Sequence, residues 1–338
     1  MYTILYLGNK LSRHGFTPTS IETLGPLLES EGYDVLYASE KKSQWKRFVD
    51  MGINIIRNRN KIDYILIDTY STHSFWYALM GSQLSRLFRI KYIPILHGGN
   101  LPYRLDKNPK LSKMIFNHAY INVAPSGYLM DAFQKHNYPN LKFIPNTIEI
   151  DNYHFLERSN ITTPKLLWVR SFADLYNPSM AIDVLKKIQE KYPDASLCMV
   201  GPDKDGSMLR TKEYAKKLNL INVSFTGKLS KKEWTDLSKE YNIFINTTNF
   251  DNTPVSVIEA MCLGIPVVST NVGGIPFLLT NNNNALLVEK EDTQAMVKAV
   301  ETLVENTELR KQLTTNGYNL VKTFDWNSVR NLWKEILR

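Results

Sequence analysis

The sequence predicts an α/β protein built from two Rossmann-like domains, each a parallel sheet wrapped by helices, with a cleft between them. Three observations carry that expectation. The chain has 338 residues, more than a single core of ordinary size accommodates and enough for two of about 150–170 residues. In both halves, short β-branched runs alternate with longer amphipathic stretches, which is the βαβ pattern of a parallel sheet. A polar stretch with little apolar periodicity, EIDNYHFLERSNITTP (149–164), separates the halves and reads as a linker.

In the first half the predicted elements are TILYL (3–7), a helix over 20–30, YDVLYA (33–38), DYILID (63–68), a helix over 75–88, YIPILHG (92–98), AYINVAPS (119–126) and LKFIPN (141–146). The second half repeats the scheme with KLLWV (165–169), a helix over 178–191, ASLCMVG (195–201), NVSFTG (222–227), IFINTT (243–248), IPVVST (265–270) and ALLVE (285–289). Ligands of such sheets bind beyond the carboxyl ends of the strands, so residues at those ends carry the functional weight.

Residues 251–276, DNTPVSVIEAMCLGIPVVSTNVGGIP, hold the densest chemistry. After the strand IFINTT, Pro254 is expected to open a helix capped by Thr253. The free N–H groups of Val255 and Ser256, together with the helix dipole, then make a site for an anion such as a diphosphate. Glu259 falls inside that helix among Val257, Ile258, Ala260 and Met261, where an unpaired carboxylate costs several kcal/mol, roughly the penalty for a buried ion. Sugar hydroxyls, or a nearby Arg or Lys, would satisfy it.

Asp251, seven residues, Glu259, then Pro266, Val267, Val268, Gly273 and Gly274 resemble the signature of glycosyltransferase family 4, the retaining enzymes of GT-B fold. That signature has two glutamates with seven residues between them, an apolar strand and a Gly-Gly turn; here the first acid is aspartate, one methylene shorter. The resemblance implies that Asp251 lies near the transferred sugar, that the loop Thr253, Pro254, Val255 and Ser256 holds the distal phosphate through the backbone N–H groups of its non-proline residues, and that Glu259 binds the ribose. It also implies that the last segment, 324–338, crosses back to the first domain, giving domains of 1–150 and 160–323.

His97 ends the strand YIPILHG, and with Gly98 and Gly99 after it should stand at the mouth of the first domain. The resemblance implies a contact with the donor sugar; a bond to a loop carbonyl is the alternative. Gly8 and Gly15 bracket NKLSRH, where family members carry a glycine-bearing loop against donor or acceptor. Their spacing is not a dinucleotide fingerprint, which disfavours NAD. Arg170 follows KLLWV, where the family usually pairs an arginine with a lysine about five residues on to neutralise the diphosphate. Here Leu175 and Tyr176 stand in the lysine's place, so Arg170 bears that charge alone or with Lys228.

The resemblance thus implies transfer of a sugar from a UDP- or GDP-linked donor to a glycan or lipid-linked glycan in surface polysaccharide or lipopolysaccharide assembly, without a metal. Two alternatives stay open: a catalytically silent sugar-nucleotide-binding subunit, and a UDP-sugar 2-epimerase of the same fold.

The net charge of +8 is unevenly placed, with 18 Lys and Arg against 11 Asp and Glu in residues 1–150 and near balance beyond. Much of it lies in KKSQWKRFVDMGINIIRNRNK (41–61), where Lys41, Lys42, Lys46, Arg47, Arg57, Arg59 and Lys61 face only Asp50. Trp45, Phe48 and Val49 follow helical spacing within it, which suits either an anionic bilayer surface or an ordinary helix packed on the core. No nucleic-acid module accompanies the charge. Cys198 and Cys262 sit in apolar surroundings and suggest neither a metal site nor a disulfide framework. With no signal peptide and no long apolar span, the chain is expected in the cytoplasm, peripheral on the inner face of the plasma membrane if the basic stretch docks there.

Overall fold

The structure, a computed structural model, describes residues 1–16, 18–158 and 160–338; Thr17, and Ser159 of the predicted linker, lie outside the described residues. The chain forms two compact units, the first comprising Met1–Ile148 with Phe324–Arg338 and the second Glu149–Thr323.

The first unit contains β1 (Thr3–Leu7), β2 (Asp34–Ala38), β3 (Tyr64–Thr69), β4 (Lys91–Leu96), β5 (Asn122–Ala124) and β6 (Leu141–Phe143). They make one parallel sheet in the order β2-β1-β3-β4-β5-β6, so the direction of winding reverses between β1 and β3. Period-two alternation sorts the side chains. Leu5, Leu7, Ile65 and Ile67 join the core on one face, with Met51 and Ile55 of the helix Gln44–Asn58. Ile4, Tyr6, Tyr64, Leu66, Ile93 and Ile95 join the core on the other, where Val329, Trp333 and Ile336 of the helix Trp326–Ile336 cover them.

In the second unit, β7 (Lys165–Val169), β8 (Ser196–Val200), β9 (Val223–Gly227), β10 (Ile243–Asn246), β11 (Val267–Thr270) and β12 (Leu286–Val288) form a parallel sheet in the order β12-β11-β10-β7-β8-β9. Its winding reverses between β7 and β10. Leu166, Trp168, Leu197, Met199, Ile243 and Ile245 pack one face against the helices Pro178–Ile188 and Thr293–Glu305.

Three expectations change. The stretch read as a linker belongs to the second unit: Tyr153 and Ile161 are buried, and the Arg158 guanidinium donates to the carbonyls of Ser238, Tyr241 and Leu263. A polar stretch thus satisfies backbone groups that its sparse apolar residues gave no hint of. The strand expected over 119–126 is confined to Asn122–Ala124. Within the basic stretch, Arg47 is buried and its Nη1 donates to the carbonyls of Lys41 and Lys42 at 3.2 and 3.4 Å, so it does not belong to the solvent-facing charge. Among the described residues no helix is long and apolar enough to cross a membrane.

Candidate functional site

The second unit gathers most of the candidate residues where its strand order reverses. Arg170 follows β7 and Asp251 lies in the loop after β10; since these strands are neighbours, their outgoing ends are adjacent, and Arg170 Nη2 forms an ion pair with the Asp251 carboxylate. Hydrogen bonds hold the two loops in register: Thr247 Oγ1 donates toward the carbonyls of Tyr176 and Asn177 at 3.0 and 2.9 Å, and the Asn249 amide to the Leu175 carbonyl at 2.8 Å. The guanidinium carbon of Arg170 lies 4.3 Å from the centre of the Tyr176 ring. Burial pulls the Arg170 guanidinium below the usual arginine range, and the Tyr176 phenol works in the opposite direction. The aromatic ring therefore takes the place where the family's lysine was expected.

Glycines let the backbones close in around this pair. At Gly201, a Cβ would lie 1.8 Å from the Arg170 carbonyl oxygen, while at Gly274 it would lie 1.8 Å from that of Asn252. The Gly274 amide donates to the Asp251 carbonyl at 2.7 Å. The Gly-Gly turn is thus required by the close passage of two chain segments, and it fixes the loop that carries Asp251.

The helix here is Val255–Cys262, one residue later than expected. Pro254, extended at φ −73° and ψ 108°, is its N-cap, and its carbonyl accepts from the amides of Val257 and Ile258. Thr253 does not cap it. Pro254 itself has no N–H to be satisfied, so the capping role assigned to Thr253 is absent and the chain stays extended one residue longer. The amides of Val255 and Ser256 still occupy the first turn, where a helix has no internal acceptor to offer. Ser256 is buried and its Oγ has no hydrogen-bond partner among the described residues. An anion accepting from that hydroxyl and those two amides would meet an unmet demand.

Glu259, only 6% exposed, is not left without protein partners. The Tyr153 hydroxyl donates to its Oε1 at 2.6 Å, and Lys231 Nζ lies 3.6 Å from the same oxygen. Burial pushes its carboxyl above the ordinary 4.5, with Tyr153 and Lys231 opposing. Tyr153 and Lys231 also line a neighbouring cavity with Asn152, His154, Thr235 and Leu263. Lys228, the lysine chosen from the sequence, is exposed after β9, two strands from β7, and forms no ion pair among the described residues. Lys231, three residues on and at the start of the helix Lys231–Leu237, is the one that reaches Glu259.

In the first unit His97 lies just beyond β4 and is buried rather than at an open mouth. Its Nε2 is 3.0 Å from Asp68 Oδ1, which also accepts from the Tyr6 hydroxyl at 3.0 Å, and its ring stacks on Tyr70 with centroids 4.9 Å apart. His97 therefore bonds a carboxylate, not the loop carbonyl that was the alternative. Burial beside Asp68 drives the Tyr6 phenol well above its ordinary value. Alternation along β1, β3 and β4 puts Tyr6, Asp68 and His97 on one face of the sheet at the strands' outgoing ends. Gly8 belongs to this cluster, since a Cβ there would lie 2.7 Å from Asp68 Oδ2; that oxygen is buried and unpartnered among the described residues. Gly15 does not: it sits at φ +82° in a turn with nothing within 4 Å of a Cβ.

Asp68, Tyr6, Tyr153 and Lys231 were not among the sequence candidates. A signal existed for Asp68, a carboxylate in the otherwise apolar strand YILIDT. Tyr153 was hidden inside an apparent linker.

The sequence profile of the family described as glycosyl transferases group 1 matches residues 149–320. An uncharacterized glycosyltransferase of Methanocaldococcus jannaschii is 24% identical over 300 residues, which cover 84% of this chain and 82% of that protein. The solved structure of sucrose-phosphate synthase from Thermosynechococcus elongatus has a TM-score of 0.80 at 15% identity, covering 99% of this chain and 98% of that one. That of Anabaena HepE in complex with UDP-glucose has a TM-score of 0.75 at 17% identity, covering 100% and 99%. Two parallel six-stranded sheets with these structural neighbours make the fold GT-B, with two Rossmann-like domains.

Proposed function

The chain belongs to the glycosyl transferases group 1 family, and from that premise we propose that it is a retaining enzyme of family 4 type, transferring a sugar from a nucleotide diphosphate to an acceptor hydroxyl. The acceptor is a glycan or lipid-linked glycan of surface polysaccharide or lipopolysaccharide assembly, and no metal takes part. The observation that carries the reading is the grouping at the second unit's point of reversal: Arg170 and Asp251 on adjacent strand ends, an open helix start with an unpartnered buried hydroxyl at Ser256, and the buried Glu259 on that same helix.

Breaking the bond between the sugar's anomeric carbon and the diphosphate oxygen leaves negative charge on the diphosphate. Arg170 and the amides of Val255 and Ser256 are preorganised donors for that growing charge, so they act more strongly on the transition state than on the bound donor. Asp251 holds the guanidinium at the strand end, and the face of the Tyr176 ring packs against it. Glu259, kept in position by Tyr153, takes the two ribose hydroxyls. His97, oriented by Asp68, contacts the transferred sugar. A UDP-linked donor is the first to test, because HepE was solved with UDP-glucose.

The test is release of nucleotide diphosphate from a panel of UDP- and GDP-sugars, with and without glycan acceptors, followed by proton NMR of the product's anomeric configuration. Acceptor-dependent release with the donor's configuration kept supports the proposal. Donor binding without release would make the chain a binding subunit, and an inverted product would remove the retaining assignment.

A further inference from the structure

The helix Gln44–Asn58 of the first unit has two apolar faces, and only one is used by the fold. Met51 and Ile55 are buried in the core, with Phe48 packed beside them. Trp45, Val49, Ile53 and Ile56 recur at spacings of four, four and three, which aligns them along a different stripe of the same helix. These four side chains are 72%, 41%, 40% and 44% exposed. The Trp45 ring lies flat against Phe48, with centroids 5.8 Å apart and planes 8° from parallel, so the large indole is held in place at the surface.

Basic residues surround that stripe. Lys46 and Arg57 flank it on the helix, Lys41 and Lys42 precede it, and Arg59 and Lys61 follow it; all six are exposed and none forms an ion pair among the described residues. Asp50 is the only acid between 41 and 61. Arg47 contributes differently, since its buried guanidinium fastens the Lys41 and Lys42 carbonyls and so fixes where those two lysines start. Beside them, Arg13, His14, Lys41, Lys42 and Lys46 line an open recess together with Glu40.

A partner that matches this surface must be apolar along its middle and anionic at its edges. A second copy of the chain would bring the same unpaired positive charges against its own, and a nucleic acid would meet the charge while leaving the stripe wet. A bilayer of anionic lipid meets both demands at once: the stripe sinks to the acyl boundary while the ammonium and guanidinium groups stay at the phosphates.

We propose that the first unit docks on an anionic bilayer through the helix Gln44–Asn58, lying in the interface plane with Trp45, Val49, Ile53 and Ile56 inserted and Lys41, Lys42, Lys46 and Arg57 on lipid phosphates. The inference does not depend on the proposed donor chemistry, in which no residue of this helix takes part.

The test is flotation of the full chain with vesicles of phosphatidylglycerol and phosphatidylcholine, compared with phosphatidylcholine alone. The parent should float with the anionic vesicles only. Trp45→Ser with Ile53→Asn leaves the charge unchanged and should lower partitioning on the order of tenfold; Lys41→Glu, Lys42→Glu and Lys46→Glu together should lower it on the order of a hundredfold. All five positions are exposed, so thermal midpoints and nucleotide binding should match the parent. The proposal is overturned if the parent stays at the bottom with anionic vesicles, if the Ser/Asn variant floats as well as the parent, or if the stripe variants instead convert a dimer to a monomer in size exclusion. Flotation without use of any donor would sink the proposed function alone, and the reverse outcome would sink only the docking.

Discussion

Replacing Glu259 by Gln tests the nucleotide assignment most directly, because the structure predicts opposite effects on binding and on stability. The carboxylate is 6% exposed, and burial raises its pKa above the ordinary 4.5 despite the Tyr153 hydroxyl at 2.6 Å and Lys231 at 3.6 Å. For a carboxyl whose folded-state value is raised, the stabilising contribution is complete below the unfolded value and is lost as pH rises through the folded one. Ionised Glu259 is therefore a burden on the ligand-free protein at neutral pH, and Gln, which still accepts from Tyr153, should not lower the thermal midpoint. Binding should respond the other way. Ribose hydroxyls donate to a charged acceptor, and hydrogen bonds of that kind contribute about 1.5–3 kcal/mol, so Glu259→Gln should weaken a nucleoside diphosphate by roughly tenfold to 150-fold. The parent's affinity should also climb with pH through the raised value more steeply than the variant's, which follows only the second ionisation of the terminal phosphate. Calorimetry with UDP and GDP from pH 5 to 8, alongside thermal unfolding of the free proteins, measures both. Equal affinity of parent and variant at pH 7.5, or a parent pH dependence no steeper than the variant's, would refute the reasoning.

Other perturbations separate the remaining roles. Arg170→Ala should cut turnover at saturating donor by about 10²–10³-fold, as for loss of one preorganised donor, with a smaller change in donor affinity; because it strands the Asp251 carboxylate, it is best made together with Asp251→Asn, and unchanged turnover would remove Arg170 from the chemistry. Gly274→Ala drives a Cβ to 1.8 Å from the Asn252 carbonyl oxygen and should cost on the order of 3 kcal/mol in chemical unfolding, a value that near-parent stability would contradict. His97→Ala should lower turnover while leaving the enzyme's affinity for the free nucleoside diphosphate product unchanged, and Asp68→Asn should reproduce part of that loss by releasing the imidazole; a His97→Ala enzyme with parental turnover would exclude the histidine from the sugar site.

The sequence by itself determined the strands and the strand-turn-helix that carries Asp251, Ser256 and Glu259. Those features are local: β-branched runs flanked by turn residues, helical spacing, a proline at a helix start and paired glycines all act within a few residues of one another. KLLWV forms β7 over the predicted bounds, and TILYL forms β1. Even here, the start of the helix moved by one residue, because Pro254 serves as the cap and Thr253 does not. What stands against each functional side chain was decided by tertiary structure alone. Tyr153 and Glu259 are 106 residues apart, Tyr6 and Asp68 62, and they meet only because strand order and register bring particular ends and faces together. Arg170 and Asp251 pair because β7 and β10 are neighbours, an adjacency that depends on which way the chain winds after β9 and is written in no single segment. The same holds for the helix Gln44–Asn58: its sequence offers two apolar stripes of similar spacing, and only the packing of Met51 and Ile55 into the sheet shows which one is left facing outward.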